Sequence, residues 1–187
     1  MKKLFILAAA AGLLGSCTKE SDDVTTASSS PNAQRVSVNR PFKATFYTTV
    51  DANTNPLTYC SGDVPNFALP GIFLHGSGTH LGEIITDQSR IQDDACNLSV
   101  QTMLLTTQGS GQIAANNGDL LYVSWNDTID ASQVLTQTGT AGTIRGLWNI
   151  TGGTGRFENA SGSFTISGPV DFATTSFQCE ANGSIVY

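Results

Sequence analysis

The stretch Gln112-Ile113-Ala114-Ala115-Asn116-Asn117-Gly118-Asp119-Leu120-Leu121-Tyr122-Val123-Ser124-Trp125 sets four turn-forming residues between two apolar runs. Asparagine, glycine and aspartate tolerate the positive φ that a tight hairpin turn demands, so the stretch predicts two antiparallel strands. Outward from it, Leu98, Val100, Thr102 and Leu104 recur at every second position, the period of a strand. Residues 142–151 do the same on the other side, with Ile144, Gly146, Trp148 and Ile150 sharing one face. Further strands are expected at 163–167, at 177–187 and at 42–49, where either of two alternating sets could be the buried one. Residues 72–86 read as one bent strand or two, because Gly76, Gly78 and Gly82 interrupt them. One short helical turn is expected near 154–160, with Thr154 as its cap and Phe157 folded inward. The fold class is all-β, a sandwich or an antiparallel barrel.

The amino-terminal end is of another kind. Lys2 and Lys3 precede an apolar run from Leu4 to Leu14, which is the order of a secretory signal and too short to span a bilayer. Leu14-Gly15-Ser16-Cys17 resembles the lipobox of bacterial lipoproteins, in which cleavage before the cysteine is coupled to its acylation. The resemblance implies a signal peptide at 1–16 and a membrane-lipid partner through acylated Cys17. The acidic run that follows, ending in Asp22 and Asp23, looks like an export signal to the outer face of the outer membrane. Surface exposure is expected on that reading, and a periplasm-facing address is the alternative. Residues 17–35 lack large apolar side chains and read as a disordered tether. Residues 36–187 then form a single β-barrel domain, long enough to enclose a core. With a net charge of -6 and no basic run, the 187-residue chain is not expected to bind nucleic acid.

Three strings carry a second resemblance: Thr79-His80-Leu81-Gly82, Ala114-Ala115-Asn116-Asn117-Gly118-Asp119, and Gly152-Gly153-Thr154-Gly155-Arg156-Phe157 with Ala160 and Gly162. The last is similar to the strand–turn–strand of calycin-like barrels of the dirigent and allene oxide cyclase type. All three, in order, resemble a group of secreted bacterial proteins. The resemblance implies an antiparallel barrel of about eight strands with a small lumen, and it carries no catalytic residue over to this chain.

Once Cys17 is assigned to lipid, Cys60, Cys96 and Cys179 remain in an oxidising compartment. Cys60 with Cys96 is the favoured disulfide, leaving Cys179 buried and inert; Cys60 with Cys179 is the alternative. His75, His80 and Glu83 could be drawn as a metal site, but residues five apart on a strand face opposite ways, so no metal is assigned. His80 and Glu83 are kept as candidate polar contacts. Tyr122, Trp125 and Trp148 are candidate ligand-contacting aromatics, though plain core packing would use the same side chains. Thr128, in Asp127-Thr128-Ile129, resembles an O-glycosylation acceptor. No nucleophile elbow, phosphate cradle or cofactor motif is assigned. The expected function is a ligand-binding or structural module at the cell envelope, its ligand a small molecule or glycan. The alternative is a cyclase- or isomerase-like enzyme acting on a small apolar substrate in the lumen.

Overall fold

The computed structural model describes residues 37–54 and 56–187. The expected signal peptide and the tether with Cys17 lie outside the described residues. Eight long strands carry the fold: β1 (Asn39–Val50), β2 (Ile72–Gly78), β3 (Arg90–Ser99), β4 (Leu104–Ala114), β5 (Leu120–Asp130), β6 (Ala141–Gly153), β7 (Ser161–Asp171) and β8 (Ser176–Val186). Each pairs antiparallel with the next, and β8 returns to β1 with Phe46 opposite Cys179. The all-β antiparallel architecture expected from the sequence is the one adopted, as a ring of eight strands.

Period-two burial explains why these segments extend. β5 buries Leu121, Val123, Trp125, Asp127 and Ile129 and turns the residues between them outward. β1 settles its two-way reading by burying Phe42, Ala44, Phe46 and Thr48. A ring of eight strands has an interior about wide enough for its own side chains, and aromatic rings fill this one. Phe42 stacks on Phe164 at 4.5 Å and Trp148 on Trp125 at 5.0 Å.

The ring is weakest between β2 and β3, which share only the pairs Ile72–Ile91 and Phe73–Arg90. Two segments cover the rest of this seam. The connection from β1 to β2 lays Ser61–Gly62 parallel to Asn97 and Leu98 of β3, and the Cys60–Cys96 disulfide fastens it there. Beyond Gly78 the chain doubles back, pairing Gly82–Glu83 with the end of β2. Residues 72–86 are therefore two short strands and a 3-10 turn, Thr86–Gln88, because the positive φ of His80 and Gly82 reverses the chain.

Two other expectations are corrected. The alternation at 98–104 is not a strand: it straddles the turn between β3 and β4, where Met103 takes a positive φ. At 154–160 the helical turn is the 3-10 segment Gly155–Phe157, but Thr154 does not cap it. Its hydroxyl accepts the Leu120 N–H at 2.9 Å and ties the segment to β5. A one-turn helix, Ser132–Leu135, links β5 to β6 and was not foreseen.

Candidate functional site in the lumen

The strand directions give the ring two unlike ends. At one end lie the β4–β5 turn, the 3-10 segment after β6, the reversal after β2 and the chain terminus at Tyr187. The three sequence motifs meet here, and most of their polar side chains pair with one another. Lys43 N–H donates to Thr79 Oγ1 at 2.8 Å, His80 Nε2 lies 3.0 Å from the Pro41 carbonyl, and His80 Nδ1 lies 3.1 Å from the Tyr187 hydroxyl. Asn117 donates to Asp119 at 2.8 Å, and Arg156 reaches both. Phe157, fully buried, plugs this end edge-on to Tyr187. It is closed.

At the other end the lumen opens into a cavity of about 70 Å³. Leu69, Ile72, Val170, Phe172 and Phe177 form its apolar rim, and Trp125, Trp148, Thr107, Asp93 and Asp127 line its inner part. Two glycines make room for this inner group. Gly109 lies opposite Trp125 and Gly146 opposite Asp127, and a Cβ on either would collide with the side chain across from it.

Each carboxyl has an indole partner. Trp125 Nε1 donates to Asp93 Oδ1 at 2.8 Å. Trp148 Nε1 donates to Asp127 Oδ1 at 3.0 Å and to Oδ2 at 3.3 Å. A carboxylate offers about four acceptor sites, so one N–H leaves Asp127 short of donors in a place where it is 5 % exposed. Loss of water pushes its pKa up to about 7, and the nearby Asp93 adds to the rise against the Trp148 hydrogen bond. Asp93 is shifted upward as well, again chiefly by burial, although Trp125 and Thr107 donate to it. Among the described residues, no lysine, arginine or histidine lines the cavity. Arg90, near the β2–β3 seam, is paired with Asp51 at 2.9 Å.

Of the residues singled out in the sequence, Trp125 and Trp148 border this cavity and the others do not. His80 belongs to the closed end. Glu83 is exposed and shares a shallow outer groove with His75, whose ring nitrogens meet the Thr49 and Thr86 hydroxyls. Tyr122 and Thr128 point outward from β5. Among the described residues, no group of three or more His, Cys, Asp or Glu side chains is arranged to hold a metal ion. Cys179 is a free, buried thiol on β8, and desolvation pushes its pKa up to about 12.

Asp93 and Asp127 are the functional candidates that the sequence reading passed over. For Asp127 a signal was present: an acid occupies the inward phase of Leu121, Val123, Trp125 and Ile129. Compared with known protein families, curated proteins and solved structures, the chain matches none.

Proposed function

We propose that the lumen is a binding site that takes one end of a small, mainly apolar ligand through the open end. The observation that carries this reading is the combination of an apolar mouth with the buried, under-donated carboxyl of Asp127 and the half-buried carboxyl of Asp93 at its inner end. A core that served packing alone would replace such groups with aliphatic side chains at no loss of stability. The order Lys2–Lys3, apolar run, Leu14-Gly15-Ser16-Cys17 supports an outer-membrane lipoprotein held by acylated Cys17, with the acidic residues after it favouring the cell surface. The up-and-down order of eight strands supports the calycin-like resemblance.

One observation favours an isomerase-like enzyme instead: a carboxyl whose pKa lies near neutrality is suited to move protons. Proton abstraction beside a carbonyl also needs donors for the oxygen that gains charge. Here both indole N–H groups already donate to the carboxyls, and no cationic side chain lines the cavity. Binding is the better-supported reading.

The chain has only two tryptophans, and both border the cavity, so intrinsic fluorescence reports directly on its occupancy. Titration with short aliphatic probes is expected to give a saturable change in emission and a rise in Tm. Val170→Phe, which fills the mouth, is expected to abolish both. Emission and Tm that stay flat across alcohol, amine and acid probes would overturn the lumen reading.

A further inference from the structure

We infer that the ligand enters as a primary alkylammonium, its cationic head beside Asp127 and Asp93 and its alkyl stem along the apolar mouth. The inference rests on the reading of the lumen as a binding site and names the chemistry that site selects. Charge complementarity is the first reason. Two carboxyl groups are held on β3 and β5, the strands on either side of β4, and the side chains that line the cavity around them bring no positive charge. The groups that act on Asp127 are Asp93 from β3, the Trp148 N–H from β6 and the Cys179 thiol from β8, while Thr107 of β4 donates to Asp93. The thiol stays neutral, because burial pushes its pKa up to about 12. A guest with a positive charge and several N–H donors supplies both things the carboxyls lack.

Size is the second reason. A cavity of about 70 Å³ has room at its inner end for a compact head group rather than for a whole ligand. An ammonium nitrogen with its first methylenes is compact and donates N–H, whereas a trimethylammonium head is bulkier and has no N–H to offer the carboxyls. The rest of the molecule must lie among Leu69, Ile72, Val170, Phe172 and Phe177 at the mouth, which suits an unbranched hydrocarbon stem and opposes a second charge there. Burial that raises the pKa of Asp127 to about 7 acts on the same equilibrium. A bound ammonium favours the ionised carboxylate, so affinity should rise with pH until Asp127 has lost its proton and level off above that.

The test uses the full chain and isosteric probes at pH 8, read by tryptophan fluorescence and Tm: n-pentylammonium, 1-pentanol, pentanoate and n-pentyltrimethylammonium. Pentylammonium is expected to bind at least tenfold more tightly than the other three, and its affinity to fall roughly tenfold per unit as pH is lowered from 7 to 5. Asp127→Asn and Asp93→Asn are each expected to weaken pentylammonium tenfold or more and to weaken pentanol by a clearly smaller factor. Pentanol binding as well as pentylammonium would overturn the cationic assignment and leave the lumen reading standing. Failure of all four probes to bind would overturn both. If a variant does not fold, the comparison between probes on the unaltered chain still decides.

Discussion

Asp127→Asn should remove most of the pH dependence of stability near neutrality, and the size of the effect follows from the lumen. In the unfolded chain this aspartate titrates near its ordinary 3.8; in the folded ring burial raises it to about 7. Between those values the folded state holds a proton that the unfolded state has released, so stability falls as pH rises through the interval. It is unaffected below about 4 and fully reduced above about 7. At about 1.4 kcal/mol per tenfold in proton affinity, the ceiling is about 4 kcal/mol, of which about 2 falls between pH 5 and pH 7. Asp93, also shifted upward, adds in the same direction. The lowered pKa values of Asp119, Asp130 and Asp171 act oppositely, but in the acid range below about pH 5.

An asparagine at 127 still offers an oxygen to Trp148 Nε1 and buries an amide NH₂ in place of the second oxygen. That costs about 1–3 kcal/mol and is independent of pH. Urea unfolding followed by tryptophan emission at pH 5, 6, 7 and 8 should therefore give two curves that cross. The variant is the less stable at pH 5 and the more stable at pH 8. In thermal melts, about 2 kcal/mol corresponds to roughly 4–8 °C for a domain of this size. Parallel curves, or unaltered protein that gains stability from pH 5 to 8, would refute the claim that Asp127 is desolvated without a compensating cation.

Replacing Cys60 and Cys96 together by alanine removes a cross-link over a sequence separation of 36 and should lower stability by about 4 kcal/mol in the chain-entropy account. Limited proteolysis should then cut within 54–70, the connection that the disulfide holds over the β2–β3 seam. Phe157→Ala at the closed end should cost about 3–5 kcal/mol, measured by urea unfolding. Probe affinity at the open end should stay unchanged.

The hairpin around Asn116 to Asp119 was legible because turn chemistry is local, and Gly118 has the positive φ that its neighbours implied. The face of β6 carrying Ile144, Gly146, Trp148 and Ile150 was legible because no irregularity interrupts it. The favoured disulfide, Cys60 with Cys96, is the one formed. β3 was not legible. It carries Gln92, Asp93 and Asp94 in succession, a composition that reads as loop, and the pairing with β4 skips Asp94 between Asp93 and Ala95. That bulge lets Asp93 and Cys96, three positions apart, both face inward. No period-two reading can place such a pair, so one of the two lumen acids was out of reach of pattern alone. At 98–104 the failure ran the other way. Val100 and Thr102 favour strands on their own, yet Val100 N–H is held by the Asp63 carboxylate from the β1–β2 connection. That tertiary contact within a turn overrides the propensity.

The strings that stood out in the sequence and the groups that carry chemical potential lie at opposite ends of the ring, and there is a physical reason. The closed end is made of reversals with positive φ at His80, Gly82, Gly118 and Gly155, and each reversal restricts which residues can stand beside it. A restricted run looks like a motif. Its polar groups find partners within the same cap: Thr79 with Lys43, Asn117 with Asp119, Thr154 with Leu120. The lumen acids sit on regular strands, where only every second residue faces inward and the backbone accepts any side chain. Asp127 is thus a single unusual letter in an ordinary strand, without a motif around it. Its carboxyl lacks protein donors on all but one side, which is the condition for binding something else. Substitutions in the three motifs should accordingly register as lost stability. Substitutions at Asp93, Asp127 and the mouth should register as lost or altered ligand binding.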